Sequence, residues 1–572
     1  MNKHIPGLAK PAIAITAIFL SAILVSCCFY LFSAYRQLVA WYTGLGACFY
    51  KNKVWSTDFF TPRIKSDGNM YCIIAMIIAG SGAFYSLKRI KNWRKHKMQP
   101  VALSFDTKNM IPVILCLVTA ILLWCWGNKL AMPASDEVFS AVNVAGIHPF
   151  QAVSYYMLPN NHLFFNLLNN LVFHSFSDKV VTGRVISLIA YCGFIIAVFF
   201  WFTTIFANRW IAVLVSITLS LQFIVWGFSF QARGYELYLL AEWGMFISLF
   251  CYITSGNQRW LYLNTLCCAI GYFCLPSFLY FHAAQLVFML LYALFYRKRE
   301  RAFWQFQAVT VLLTYLFYLP ALCFSGLDAI IHNNYVVSMG AFQHTGRMPF
   351  IYWMFPYFHT YITHIFSGLH WNSIPISVIL LFLPLALLFR RKNKALVLFG
   401  MFYLSMWVTF FLIAIFMKKL PFERNLTGHY SITLAGVILV FYWLVDMLAG
   451  KEKTGIVKWG LFAGVLVLFA VHFLRTNELL LKDTLYEYDV NTVYTEKCGL
   501  LGLITPGRTV AVSDEDFLPG YICRKKGCIV SKCPNGHEMY YLKEAFETIP
   551  QPYADNYTLV NNFYGDEVYK LK

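Results

Sequence analysis

Charge is scarce in this 572-residue chain: charged residues make up 13% of it, while 59% is hydrophobic and 18% aromatic. A soluble domain carries roughly 25% charged residues, so an ordinary cytosolic protein is excluded. Phosphate-cradling loops are missing as well. Neither G-x-G-x-x-G nor a Walker A run occurs, and Gly44-Leu45-Gly46 is a fragment only, so a soluble nucleotide or nucleotide-sugar site has no place in the chain. No internal repeat of 20–50 residues appears beyond the apolar runs themselves. What the chain has instead is length in its apolar stretches, which recur at the roughly 20 residues needed to cross a bilayer. The sequence is that of a polytopic helical membrane protein.

Acidic residues are the scarcer charge, 27 against 46 Lys and Arg, a formal net charge of +19. Residues 475–572 hold 11 basic and 14 acidic side chains, which leaves 35 basic and 13 acidic in the rest. The excess sits in short clusters between apolar runs: Lys88 to Lys97, Arg297 to Arg301, Arg390 to Lys394, and Lys451 with Lys453. This is the positive-inside pattern of a membrane protein, not the basic face of a nucleic-acid binder. Thirteen spans are expected, near 11–34, 69–87, 111–131, 184–206, 211–229, 236–254, 260–277, 279–296, 307–325, 374–389, 395–417, 429–448 and 456–474. With the N-terminus inside, every one of those clusters falls inside. The loop 35–68 disagrees mildly, because it would lie outside yet carries Arg36, Lys51, Lys53, Arg63 and Lys65.

The threading divides the chain into an anchor region (1–110), a membrane domain (111–474) with long outer loops at 132–183 and 326–373, and an outer C-terminal domain (475–572). Short apolar runs such as Thr509 to Val512, set among Gly, Pro and Asn turns, predict a small mixed α/β fold for that tail. The fold class is therefore mainly α, with an extracytoplasmic α/β appendage. In the segment from His162 to Phe173 the polar residues 162, 166, 169 and 170 recur at helical spacing, which predicts an amphipathic helix lying in the interface plane.

Chemistry is sought on the outer face. Asp136 and Glu137 are the first acids after the third span. A carboxylate beside apolar walls can serve as a general base, although two acids opening a helix are also favoured by its dipole alone. Pro159-Asn160-Asn161-His162 follows, then Gly183-Arg184 at the fourth span, Ala232-Arg233-Gly234-Tyr235 before the sixth, and Lys418-Lys419 with Arg424 before the twelfth. Arg233 and Arg424 suit phosphate oxygens and equally suit snorkelling into headgroups. His162 suits a ligand or a structural hydrogen bond. Glu242, inside the sixth span, is either functional or a buried paired acid.

These pieces, in this order and on one face, resemble the polytopic glycosyltransferases that use lipid-linked sugars, the GT-C superfamily, and most of all the protein mannosyltransferase and aminoarabinose transferase group, glycosyltransferase family 39. The resemblance covers roughly residues 111–425. Its acidic pair matches Asp136 and Glu137, its Pro-Asn-Asn-His element matches Pro159 to His162, and its Ala-Arg-x-Tyr element matches Ala232 to Tyr235. The resemblance implies transfer of a sugar from a polyprenyl-phosphate donor to a glycan, lipid or protein acceptor at the outer surface of a membrane, read as a bacterial inner membrane. It implies inversion in a single displacement, with Asp136 as base. Glu137, Asn161, His162, Arg233, Tyr235 and Arg424 are then the substrate-binding residues. No cofactor is required, though a divalent metal on Asp136, Glu137 and His162 stays open.

Two rival readings remain: a transporter or flippase of lipid-linked glycans, with charges such as Glu242 lining its path, and a polymerase or ligase acting through Arg347, His359 and His364. In the tail, Cys498, Cys523, Cys528 and Cys533 lie in an oxidising place and suggest two disulfides, since the spacing of the last three lacks the tight pair of a zinc site.

Overall fold

The computed structural model describes residues 9–45, 60–92, 109–156, 161–173, 178–206, 208–298, 300–331, 374–390, 393–417, 421–448, 455–482, 497–512, 517–531, 536–543, 549, 551, 553–563 and 566–572. Its body is a bundle of helices around a large apolar core, in which aromatic side chains such as Trp201, Trp243, Phe246 and Phe402 pack edge to face. Many large apolar side chains face outward, among them Phe32, Ile77, Leu294 and Phe416, as befits helices whose solvent is lipid.

All thirteen expected segments are helical, but among the described residues only ten helices are long and apolar enough to span a bilayer, or eleven if one bent pair counts as a single span. Three expectations change. The 211–229 run is two helices, Arg209–Ser220 and Phe223–Ser229, bent by 78°. Side chains satisfy the backbone freed at the break, as burial demands: Tyr191 donates to the Ser220 carbonyl at 3.0 Å and Asn477 to that of Leu221 at 2.8 Å. The 260–277 run forms a helix of 16 residues, Arg259–Cys274, which at about 1.5 Å per residue falls short of a roughly 30 Å hydrocarbon layer. The 374–389 run passes from α-helix Ile374–Phe382 into a 3-10 helix, Leu383–Phe389, with Pro384 at the junction, where a missing N–H weakens α-helical continuity.

The first two long helices, Ala9–Phe32 and Pro62–Asn92, pack on each other and on Arg301–Phe324. Tyr30 donates to the Cys323 carbonyl at 2.8 Å. Lys65, one of the basic residues that strained the charge rule, is buried. Its ammonium donates to the Tyr30 carbonyl at 2.8 Å and lies 4.3 Å from the Tyr30 ring centre, so it is a packing element and not a loop charge.

The C-terminal domain is mixed α/β. Its strands β1 (Thr509–Val512), β2 (Ile529–Val530), β3 (Tyr540–Lys543), β4 (Tyr557–Phe563) and β5 (Asp566–Leu571) form one sheet in the order β2-β1-β3-β5-β4. β1 runs parallel to both β2 and β3, and the rest pair antiparallel. The expected disulfides do not form among the described residues: Cys498, Cys523 and Cys528 are free thiols, and Cys533 lies outside those residues. Cys523 and Cys528 do approach each other, because the chain leaving helix Phe517–Lys525 turns back and the Cys528 amide donates to the Cys523 carbonyl at 2.9 Å. Burial pushes the Cys523 thiol up to about 12.

Candidate active site

Four separate stretches meet at one end of the bundle: helix Ser135–Phe139, the segment before helix Leu163–Phe173, the start of helix Lys179–Thr203, and the turn preceding helix Tyr235–Ser255. The 3-10 turn Glu423–Leu426 brings Arg424 to the same place. Only elements emerging on the same side of a bundle can meet in this way.

Asp136 and Glu137, neighbours in sequence, have opposite environments. Glu137 is buried and takes a bidentate guanidinium from Arg184, with Nε to Oε1 at 3.0 Å and Nη2 to Oε2 at 2.9 Å. Two backbone amides, Ala134 at 3.0 Å and Ala232 at 2.5 Å, also donate to it. Arg184 spends its remaining Nη1 on Asn128 Oδ1 and the Ala131 carbonyl. Glu137 was expected to bind substrate; instead its oxygens are filled by the fold, and it anchors the helix that carries Asp136. Arg184, placed by sequence only as the opening of a span, is the partner of Glu137 that the reading missed. Its signal was a guanidinium one residue after Gly183, where a Cβ would meet that of Ala232 at 2.6 Å, so only glycine lets these two segments touch.

Asp136 has 46% of its side chain exposed and faces two guanidiniums: Arg233 pairs with its Oδ2, and Arg424 Nη1 stands 3.7 Å from the same oxygen. Arg233 is buried, its Nη2 donating to Tyr235 Oη at 3.2 Å and to His162 Nε2 at 3.2 Å. Its guanidinium lies over the Tyr235 ring, 5.2 Å from the centre. The Asp136 contact raises the Arg233 pKa against the opposing effect of burial. Ser187 holds the turn by donating to the carbonyls of Gln231 and Arg233. Gly234 permits the approach of His162, whose Cβ would lie 2.9 Å from a Cβ at that position.

A guanidinium can only donate, so His162 Nε2 accepts and the imidazole proton resides on Nδ1. Burial first, then the positive charges of Arg233 and Arg424, hold His162 well below its usual range and keep it neutral. Nδ1 is buried without a hydrogen-bond partner among the described residues.

Asn161, also expected to bind substrate, is buried and occupied. It donates to the carbonyls of Tyr155 and Ala152 and accepts from Asn166 Nδ2 at 2.9 Å, which ties the preceding turn to helix Leu163–Phe173. The polar stripe of that helix is likewise internal: Asn166, Asn169 and Asn170 are buried, whereas Leu171 and Val172 are exposed. Pro159, Asn160, Lys418, Lys419, Arg347, His359 and His364 lie outside the described residues.

A metal on Asp136, Glu137 and His162 does not fit this geometry. Glu137 is filled by Arg184 and amides, and Arg233 lies between Asp136 and His162; among the described residues no group of three or more acidic, His or Cys side chains is arranged for a metal ion.

Fold and site together define a polytopic helical membrane protein with a charged, partly open cluster at one end of its bundle, beside an α/β domain. No protein-family model matches the chain, and no curated protein matches it. Among solved structures it is similar to ArnT from Cupriavidus metallidurans bound to undecaprenyl phosphate, at 12% identity over 80% of this chain and 97% of that one, with a TM-score of 0.46. The same protein in the apo state gives 11% identity over the same shares and a TM-score of 0.43. The arabinosyltransferase EmbB from Mycobacterium smegmatis gives 11% identity over 80% of this chain and 44% of that one, with a TM-score of 0.38.

Proposed function

We propose that this protein is a membrane glycosyltransferase that moves a sugar from a polyprenyl-phosphate donor to an acceptor at the outer membrane surface, in a bacterium at the inner membrane. The observation that carries the reading is the half-exposed Asp136 carboxylate facing the guanidiniums of Arg233 and Arg424. A carboxylate alone would serve many chemistries. A carboxylate beside two forks suited to phosphate oxygens serves a displacement in which a hydroxyl or amine loses a proton while a phosphate departs.

The step balances without a cofactor. The acceptor oxygen or nitrogen bonds to the anomeric carbon as the bond from that carbon to the phosphate oxygen breaks, the electron pair leaving with the lipid phosphate. Asp136 takes the acceptor proton. A single displacement inverts the anomeric configuration, whereas retention by the double-displacement route calls for a carboxylate nucleophile. Glu137, the nearest carboxylate in sequence, is buried under Arg184 and unable to fill that role. Arriving phosphate competes with Asp136 for Arg233 and Arg424, so donor binding itself would release the base. His162, neutral and hydrogen-bonded to Arg233, keeps that guanidinium aimed at the opening.

The test is transfer of radiolabelled sugar from membrane extracts containing polyprenyl-phosphate sugars, comparing the unaltered chain with Asp136→Asn at equal folded expression. Label transferred by the first and not the second supports both enzyme class and base, and the product names the acceptor. Equal transfer by both removes Asp136 from the role; no transfer by either sinks the class.

A further inference from the structure

The C-terminal domain docks at one particular place. Its helix Phe517–Lys525 lies against Ser135–Phe139, the helix that carries Asp136. Leu518, Tyr521 and Ile522 from the tail share one buried apolar cluster with Val138, Ala141 and Val180 of the membrane domain. A polar latch lies beside that cluster. Tyr521 donates its hydroxyl to Asp178 Oδ2 at 3.2 Å, and Lys525 pairs with the same oxygen. The other oxygen of Asp178 accepts from the amides of Val180 at 2.9 Å and Val181 at 3.3 Å, and so caps helix Lys179–Thr203. That helix carries Arg184, whose fork holds Glu137.

Two routes therefore run from the tail to the neighbours of Asp136: directly, through Val138, and through Asp178, Arg184 and Glu137 in turn. Ser135–Phe139 runs directly into a π-helical turn, Ser140–Val144, and the two together are still shorter than the roughly 12–15 residues a helix needs to hold its own shape in water, so their rigidity must come from what packs on them. A reacting group displaced by about 1 Å can lose on the order of 10²-fold in rate.

We propose that the helix Phe517–Lys525 positions the Asp136 helix for catalysis, with Tyr521 and Lys525 as positioning residues that act through Asp178. The proposal rests on the reading of Asp136 as base. Lys525 is half exposed, and an exposed pair of this kind contributes little alone, so the informative variant removes both donors and leaves the apolar contacts in place.

The experiment uses the full chain in lipid nanodiscs and compares it with the Tyr521→Phe, Lys525→Ala double variant and with Lys525→Arg. Hydrogen exchange is read over residues 134–141 and, as an internal reference, over 260–274; kcat and KM are read with an extracted, radiolabelled polyprenyl-phosphate sugar. The double variant should exchange about tenfold faster at 134–141 and unchanged at 260–274, since opening is local. Its kcat should fall about 10-fold with KM unchanged, and Lys525→Arg should behave as the unaltered chain. Unchanged exchange, or faster exchange with unchanged kcat, overturns the proposal. Loss of protection throughout the chain also overturns it, because the latch would then hold the whole fold; Tyr521→Phe alone repeats the comparison with a milder lesion. If the unaltered chain transfers no sugar, the proposed function fails, and the exchange result still decides whether the tail holds the helix.

Discussion

Two of the polar clusters among the described residues differ in whether they are closed. Between the spans, Asn264 donates to Gln285 Oε1 at 2.6 Å and to the Met245 carbonyl at 2.9 Å, while Gln285 and Gln307 both donate back to Asn264 Oδ1. His282 joins them, its Nε2 donating to Gln307 Oε1 at 2.7 Å and its Nδ1 accepting from Tyr272 at 2.9 Å. Every buried polar side-chain atom of that network has a partner among the described residues, and with the Met245 carbonyl it ties four helices together. At the end of the bundle that carries Asp136 the corresponding inventory is incomplete: His162 Nδ1 has no partner among the described residues, and the side chains of Asp136 and Arg424 are partly exposed. A closed network glues helices; an open one, with both charge signs at its mouth, is where the proposed donor phosphate would compete for the guanidiniums.

The contrast can be broken experimentally. Asp136→Asn keeps shape and size at the open site and should lower transfer about 10²- to 10⁴-fold, the usual worth of a general base, with only a small loss of thermal stability in detergent from the half-exposed pair with Arg233; a loss of stability as large as that expected for Arg184→Ala would make Asp136 a structural residue. Arg184→Ala strikes the closed half of the site. It strands Glu137 as a buried carboxylate without its ion-pair partner and should cost about 3–5 kcal/mol of stability, read from urea or thermal unfolding, with activity lost alongside. If activity vanished while stability held, Arg184 would belong to the open group.

Asn264→Leu tests the closed network by itself. Interhelical hydrogen bonds in membranes contribute roughly 0.6–2 kcal/mol, so unfolding should shift by about that amount while transfer stays within about twofold. A large loss of transfer would show that the network is coupled to the site. The smallest effect concerns pH. His162 is held neutral below its ordinary value of 6.5, so the pH–rate profile should show no limb near 6.5. The unfolded chain takes up a proton below that pH and the folded chain does not, so stability should decline as pH falls from 6.5 toward the depressed value. A limb near 6.5 that His162→Gln removes would show that the ring titrates in the working enzyme.

The predictions differ because the sequence showed the two halves of the site unequally. Asp136, His162, Arg233, Tyr235 and Arg424 were singled out because polar residues at span ends stand out against apolar runs and because the family resemblance pointed to them, and the structure brings all five together. Asn161 and Glu137 were read as equals of these, yet their oxygens and amide are consumed internally. The thirteen expected spans and the ten or eleven found among the described residues differ for a related reason. Hydropathy registers the apolar character of 211–229, 260–277 and 374–389, but not the break, the short helix or the change of helix type found there.

By itself the sequence determined the membrane class, the apolar segments and the α/β nature of the tail, because each depends on composition and short-range periodicity. Tertiary structure alone decided which of two adjacent acids stays open to the exterior. The partners that close Glu137 come from Arg184 and Ala232, 47 and 95 residues away, and the helix that presses on Val138 comes from the far end of the chain. Hydrogen-bond satisfaction is a property of positions in space, and no local pattern of residues carries it.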